Sequence, residues 1–282
     1  FERIPAVLCQ GSWDTDIASI AMCSKEVTNT SLFICIKGME QDGHQYIQEA
    51  AERGAAACLV EEAFWKKSAS VHGNLKQAEK KTSVYGELKL PEQMTIVSVQ
   101  NTREAAAWAA AAFYRYPSKE LKVIGITGTK GKTSTTFMIR DILEAAGYKT
   151  GLLGTIDYEI GEEKKRAERT TPEAIDIQRY LRKMADSGCR FAVMEVSSQG
   201  LKLHRSDGIL FDVGVFTNLG RDHIGPKEHK DMAEYAHYKS LMFQKCCFGI
   251  GNIDDPYYRE IFKDASCQVC TYSCRQKADV QA

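Results

Sequence analysis

Lys122-Val123-Ile124-Gly125-Ile126-Thr127-Gly128-Thr129-Lys130-Gly131-Lys132-Thr133-Ser134 is the stretch that decides the fold. Its first half is an apolar run of strand length, and a helical pattern opens near Lys132. The small residues between them let backbone N–H groups converge on an anion, backed by the positive end of the helix dipole. Lys132 adds a full charge suited to β- and γ-phosphates, and the Thr133 hydroxyl suits Mg²⁺, a hard cation that takes oxygen ligands. The strict pattern G-x-x-x-x-G-K-[ST] is not met, because the position five before Gly131 is Ile126. The strand–turn–helix context, the lysine and the hydroxyl nevertheless coincide, which points to a triphosphate-binding loop.

Upstream, the Ala-rich helical pattern Thr102 to Tyr114 breaks at Tyr116-Pro117-Ser118, where a domain boundary is expected. Residues 1–116 read as a small α/β domain with strands at Ser31–Ile36, Ala56–Val60 and Thr95–Val99 and a helix near His44–Arg53. The polar, poorly periodic Lys66–Glu92 reads as an exposed insertion. Residues 117–282 alternate strand, loop and helix, which argues for a mainly parallel sheet with crossover helices. Its first strand is Lys122–Thr127, and its first helix runs from Lys132 to just before Gly147, with Phe137, Ile142, Ala145 and Ala146 facing inward. Further strands are expected at Gly151–Leu153, Phe191–Val196 and Asp212–Thr217. In an open parallel sheet, ligands sit beyond the carboxyl ends of the strands, so these four ends should gather one site.

Composition bounds the partners. Of 282 residues, 44% are hydrophobic, enough for one large or two ordinary cores. Lys plus Arg and Asp plus Glu both number 37, so no global field draws the chain to nucleic acid or an anionic membrane. The longest apolar stretch, Ala105 to Phe113, falls far short of the roughly 20 residues of a membrane span. No signal segment precedes it, and ten cysteines then read as reduced thiols in a cytoplasm. Cys267-x-x-Cys270 followed by Cys274 lacks the second pair that a structural zinc site needs, so zinc is not expected. The opening at Phe1, without Met, suggests a fragment or a processed product.

Gly125-Ile126-Thr127-Gly128-Thr129 followed by Gly131-Lys132-Thr133 resembles the ATP loop of the Mur ligases, which form peptide bonds on peptidoglycan precursors. Further matches follow in the family's order. Thr170-Thr171-Pro172-Glu173 resembles its TTP segment, Glu195-Val196-Ser197-Ser198 its EVSS segment, and Phe216 to Leu219 with Arg221-Asp222-His223 its FTNLxRDH segment. Tyr235 to Lys239 resembles the YxxxK that carries a carbamylated lysine, and Asn252 to Pro256 is similar to the NADDP stretch. In the first domain, Ser24, Ser31-Leu32-Phe33-Ile34 and Asp42-Gly43-His44 resemble elements of the MurE type, which adds the third residue to a UDP-N-acetylmuramoyl-dipeptide.

The resemblance implies an ADP-forming ligase that activates a carboxylate as an acyl phosphate and lets an amine displace phosphate, chemistry that asks for metal ions and fixed cations. It implies ATP at Gly128, Thr129, Lys130, Gly131, Lys132, Thr133 and Ser134, with Asn218 and Asn252 on the nucleotide side. Mg²⁺ would be held by Thr133 and Glu195, and a second ion by His223 and a carbamylated Lys239, with Lys132, Glu195, His223 and Lys239 as the catalytic set. For the UDP-N-acetylmuramoyl-peptide it offers Ser24, Thr170, Thr171, Ser197 and Arg205, whose planar guanidinium suits two-point binding of a carboxylate or phosphate. The other partner is a free amino acid. A monomer is the default expectation.

The sequence departs from that pattern mostly on the substrate side. Lys130 stands where asparagine is usual, Cys23 and Lys25 flank Ser24 in place of Asp and Arg, and Gln199 stands where histidine follows the two serines. Leu203 replaces a glutamine, Gly220 and Gly225 replace a hydroxyl residue and an aspartate, and two residues are added between His223 and Lys239. A related ligase for another carboxylate and a non-catalytic nucleotide- or UDP-sugar-binding protein are the alternatives. Because the family's third domain, which binds the incoming amino acid, is not reached by Ala282, the chain by itself is not expected to complete ligation.

Overall fold

The computed structural model describes residues 4–38, 41–72, 90–226 and 228–281. The chain divides into two compact units, Phe1–Ala109 and Ala110–Ala282, with the division falling inside one helix.

The first unit contains β1 (Ala6–Gln10), β2 (Ser19–Ala21), β3 (Ser31–Ile34), α1 (Ile47–Glu52), β4 (Ala55–Glu61), α2 (Glu62–His72) and β5 (Thr95–Val99), followed by α3 (Thr102–Phe113), which runs on into the second. Its sheet has the order β1-β5-β4-β3-β2, parallel except for β1. Phe33, Cys58, Val60 and Ile96 are buried in its core, as expected of apolar runs in strands covered on their faces. The helix expected at His44–Arg53 is a 3-10 turn over Gly43–Tyr46 followed by the short α1. Asp42 caps that turn and sets the His44 tautomer: Nε2 accepts the Glu61 N–H at 2.9 Å, so Nδ1 carries the proton and donates to Asp42 at 2.6 Å. The insertion expected from Lys66 does not begin there, because Lys66 to His72 complete α2; residues 73–89 lie outside the described residues.

The second unit contains β6 (Lys122–Thr127), α4 (Lys132–Ala145), β7 (Thr150–Leu153), β8 (Asp157–Ile160), β9 (Glu163–Arg166), α5 (Ala174–Asp186), β10 (Phe191–Glu195), α6 (Ser198–Lys202), β11 (Phe211–Phe216), α7 (Met232–Ser240), β12 (Cys246–Asn252), α8 (Tyr258–Ile261), β13 (Gln268–Ser273) and β14 (Val280–Gln281). The nine-stranded sheet runs β14-β13-β12-β11-β6-β10-β7-β8-β9, parallel up to β7 and closed at that edge by the antiparallel β8–β9 hairpin. The fold is thus α/β with a mainly parallel sheet, and β6 lies between β10 and β11. The face of α4 differs from the expected one. Ile142 is 69% exposed and Ala145 and Ala146 are exposed, whereas Thr136 is buried and Ile139 and Leu143 pack on Ile124, Ile126, Val193 and Val215. Lys132 sets this phase, since its side chain turns to the loop and the residues four, seven and eleven further on share its side of the helix. Among the described residues no helix is long and apolar enough to cross a membrane.

One buried ionic group ties β11 and β12 to α6. Asp207, 6% exposed, meets His204 Nδ1 at 2.8 Å and also the Lys245 ammonium. Burial alone would push its carboxyl up, but these partners outweigh it and hold the group below its usual value of 3.8. The group's contribution is therefore present above pH 3.8 and lost as pH falls further through the depressed folded value. Asp207→Asn is expected to cost about 2 kcal/mol at neutral pH, with the gap to wild type closing in acid; urea melts at pH 7 and pH 3 check this, and an equal gap at both would contradict it.

Candidate active site

The phosphate loop is held by its neighbours rather than by itself. The carbonyl of Asn218 accepts the Thr129 N–H at 2.8 Å, while the Asn218 amide accepts the Lys130 N–H and donates to the Lys130 carbonyl, both at 3.0 Å. Thr217 Oγ1 also donates to the Lys130 carbonyl at 2.8 Å. One strand further out, Asn252 donates to the Thr217 carbonyl at 2.8 Å and Asp255 accepts the Leu219 N–H at 2.8 Å. Both asparagines expected on the nucleotide side thus have their amides engaged in bracing strand ends. Gly128 sits at φ +153° with a Cβ position 1.9 Å from Thr217 Oγ1, so no side chain fits there. Gly131, at φ +83°, has open space around it and needs glycine only for its backbone.

Two lysines converge on this loop. Lys132 Nζ donates to the carbonyls of Gly128 at 2.9 Å and Thr129 at 3.1 Å, and Lys239 Nζ donates to the same Gly128 carbonyl at 2.9 Å. Lys239 is 1% exposed, with its amine 4.5 Å from the centroid of the Tyr235 ring. Burial, and then the charge of Lys132, push its amine well below the usual lysine range. Burial also lowers Lys132, an effect partly offset by Glu195 and reinforced by the charge of Lys130. Thr133 and Ser134 follow in the first turn of α4, and Lys130 reaches outward to Asp222 at 2.8 Å.

Opposite lies a polar network at the ends of β7 and β10. Glu195, 1% exposed, accepts the Thr155 N–H at 2.8 Å and its hydroxyl at 3.0 Å, and Thr155 Oγ1 also meets Thr170 Oγ1 at 3.1 Å. Thr171 Oγ1 donates to the Glu195 carbonyl and lies 3.0 Å from Ser197 Oγ. Arg205 reaches the Thr171 carbonyl at 3.1 Å and Glu173 at 2.9 Å. The expected residues Thr170, Thr171, Glu195, Ser197 and Arg205 therefore form one connected set. Ser24 belongs to the first unit, where its hydroxyl donates to Glu49 at 2.9 Å.

A recess of about 50 Å³ is lined by Lys132 and Lys239, by Ser197, Ser198 and Gln199, and by the two histidines His223 and His229, among others. His223, at φ +54°, pairs through Nδ1 with Glu228 at 2.7 Å. His229 is 1% exposed, bonds Ser198 Oγ through Nε2 at 2.8 Å and stacks on Tyr235, with ring centroids 5.1 Å apart. Burial, then Lys202, lower its pKa and keep the ring neutral. Thr155, Ser198, His229 and the Tyr235 hydroxyl, 3.2 Å from Thr129 Oγ1, are site residues that the sequence did not single out. Tyr235 and Ser198 carried a signal, as the first residue of the Tyr235–Lys239 match and the last of the Glu195–Ser198 match.

Among the described residues no group of three His, Cys, Asp or Glu side chains could hold a metal alone. The donors present, the Glu195 carboxylate and the Thr133 hydroxyl beside a polycationic loop, suit a hard cation that also takes phosphate oxygens, as Mg²⁺ does. Two lysine amines on one carbonyl likewise suit a polyanion.

Residues 126–282 match the Mur ligase middle domain, and residues 16–114 match the family model described as Mur ligase family, catalytic domain. The chain belongs to the Mur ligase family. It is 38% identical over 275 residues to the UDP-N-acetylmuramoyl-L-alanyl-D-glutamate--2,6-diaminopimelate ligase of Clostridium tetani, an alignment covering 98% of this chain and 52% of that protein. It is also 38% identical over 281 residues to the protein of the same name from Bacillus licheniformis, covering 96% and 52%. The chain spans about half the length of the curated relatives it matches. Among solved structures, a UDP-N-acetylmuramoyl-L-alanyl-D-glutamate--2,6-diaminopimelate ligase superposes with a TM-score of 0.74 at 22% identity, covering 96% of this chain and 52% of that one. MurF from Acinetobacter baumannii follows with a TM-score of 0.57 at 21% identity, covering 92% and 49%. These two likenesses concern the fold.

The two loop glycines should respond differently. Gly131→Ala is expected to cost about 1–2 kcal/mol of backbone strain with the loop still in place. Gly128→Ala displaces Thr217, which braces Lys130, and should weaken ATP binding by an order of magnitude or more. Calorimetric titration with MgATP checks this; equal losses in the two variants would contradict the bracing.

Proposed function

We propose that the chain is the sugar-nucleotide- and ATP-handling part of an ADP-forming ligase of the MurE type, which joins an amino acid to a UDP-N-acetylmuramoyl-peptide. The observation that carries this is the pair of lysine amines on the Gly128 carbonyl, in one recess with Ser197, whose hydroxyl bonds Thr171. Residues 1–116 are assigned to the sugar nucleotide, with Ser24 contacting it, and residues 117–282 to ATP. Lys132 would leave the loop carbonyls for the terminal phosphate oxygens, where its charge offsets the negative charge gathered during phosphoryl transfer. Thr171, Ser197 and Arg205 would orient the peptide carboxylate toward that phosphorus. Thr133 and Glu195 would hold Mg²⁺, and His223 with Lys239 a second ion. When bound, the metal supplies positive charge to the phosphate oxygens.

Lys239 supports the family's carbamate. A buried amine held below the usual lysine range gives up its proton more readily and then becomes nucleophilic toward CO₂, and carbamylation would replace a group whose charged form repels Lys132 by an anion that attracts it. In ¹³C-bicarbonate with MgATP, the protein should show a carbamate carbon resonance that Lys239→Ala lacks. No such resonance in the wild type would reject the assignment.

Lys132→Ala should lower magnesium-dependent ATP affinity by roughly 10- to 100-fold, the worth of a charge-assisted hydrogen bond. Unchanged affinity would overturn the phosphate-loop reading. UDP-N-acetylmuramoyl-dipeptide should raise Tm; no shift, with ATP binding retained, would favour a ligase for another carboxylate.

A further inference from the structure

The recess is lined by groups of two kinds. Lys132 and Lys239 bring donors. Ser198 and Gln199 bring acceptors. Gln199 Oε1 is buried with no hydrogen-bond partner. Ser198, 4% exposed, has its hydroxyl fixed by His229 Nε2 at 2.8 Å. The remaining ring nitrogen of His229 makes no hydrogen bond but lies 4.0 Å from the Glu234 carboxylate, which favours a proton on that nitrogen. Nε2 is then the acceptor, Ser198 donates to it, and the Ser198 oxygen keeps its lone pairs for the recess. The Gln199 oxygen, without a matching protein donor, is costly to enclose unless a ligand N–H completes it.

We propose that Ser198 and Gln199 receive the nucleophilic amine of the second half-reaction, accepting its N–H groups, and that His229 is a positioning residue that aims the Ser198 oxygen. The inference rests on the ligase reading above. In that step the amine nitrogen forms a bond to the acyl carbon, the bond from that carbon to the phosphate oxygen breaks with its electron pair leaving on phosphate, and the nitrogen's surplus proton goes to water. Lys132 would hold the phosphate that leaves while Ser198 and Gln199 hold the nitrogen that arrives, so the groups lining the recess match the two partners of the displacement. Gln199, standing where the family pattern has histidine, supplies a carbonyl acceptor without a titrating group.

Hydroxylamine tests this with the chain itself, since it bears N–H donors and captures an acyl phosphate as a hydroxamate without an amino-acid site. With MgATP and UDP-N-acetylmuramoyl-dipeptide, the wild type should form hydroxamate with a rate that saturates in hydroxylamine. Ser198→Ala and Gln199→Leu should each raise the KM for hydroxylamine about tenfold or more, leaving the KM values for ATP and the dipeptide within about twofold. Ser198→Thr should retain the wild-type value. His229→Gln should match Ser198→Ala, and the double variant should be no worse than either. Thermal melts identify any variant that fails to fold, and Ser198→Ala, the smallest change, then decides. An unchanged hydroxylamine KM in Ser198→Ala, or a loss falling equally on the dipeptide KM, would overturn the proposal. No ATP-dependent hydroxamate from the wild type would instead overturn the ligase reading beneath it.

Discussion

The Gly128 carbonyl, shared by the amines of Lys132 and Lys239, is the constraint around which the second unit is built. Burial and the mutual repulsion of two ammonium groups at one oxygen both disfavour charge there, and Lys239, the more deeply buried of the two, is held well below the usual lysine range. Everything that places Gly128 therefore acts on the chemistry of Lys239, although α7 and β6 are far apart in sequence. Thr217 leaves no room for a side chain at Gly128, Asn218 fixes the next two residues, and Asn252 and Asp255 fix Thr217 and Leu219 in turn. Three successive parallel strands, β6, β11 and β12, thus pass their register into the position of one oxygen.

The sheet order explains why the opposing residues meet there. β10 lies on the other side of β6, so Glu195 emerges beside the loop, and β7, next outward, delivers Thr155 to its carboxylate. A carboxylate 1% exposed needs such partners, because a buried polar group without hydrogen bonds is costly. Both of its oxygens receive donors from Thr155, and its charge partly offsets the effect of burial on Lys132. The acidic and basic halves of the site are thus held apart by one strand spacing.

Much of this was legible beforehand, for local reasons. β6 and the start of α4 follow from one apolar run and one small-residue turn, and Glu195 and Lys239 from matches to family segments. What escaped the sequence depends on pairing across distance. β8 and β9 are short and charged, and only the antiparallel edge of the sheet gives them partners. The face of α4 was misread because Phe137 and Ile142 are apolar, whereas the helix is phased by Lys132, whose side chain is drawn to the loop. Thr155 has no pattern of its own; its role exists only because β7 ends one strand away from Glu195. Ser198 and His229 are similarly brought together across 31 positions by the packing of α6 on the start of α7. The asparagines add what no motif shows: each amide braces a backbone carbonyl of a neighbouring segment.

The sharing of Gly128 has a further consequence for how the loop can open to an anion. A buried carbonyl that loses its donor costs about as much as a lost hydrogen bond, so a lysine that caps a loop alone is expensive to move. Here Lys132 holds both Gly128 and Thr129, while Lys239 holds Gly128 independently. Lys132 can therefore exchange neutral carbonyl partners for charged phosphate oxygens, which make roughly twice as strong a hydrogen bond, without leaving Gly128 unsatisfied. Removing one of two positive neighbours from that oxygen also eases the repulsion felt by Lys239. The second lysine thus keeps the loop in its binding shape during the exchange, and most of the energy of meeting the anion remains available for affinity.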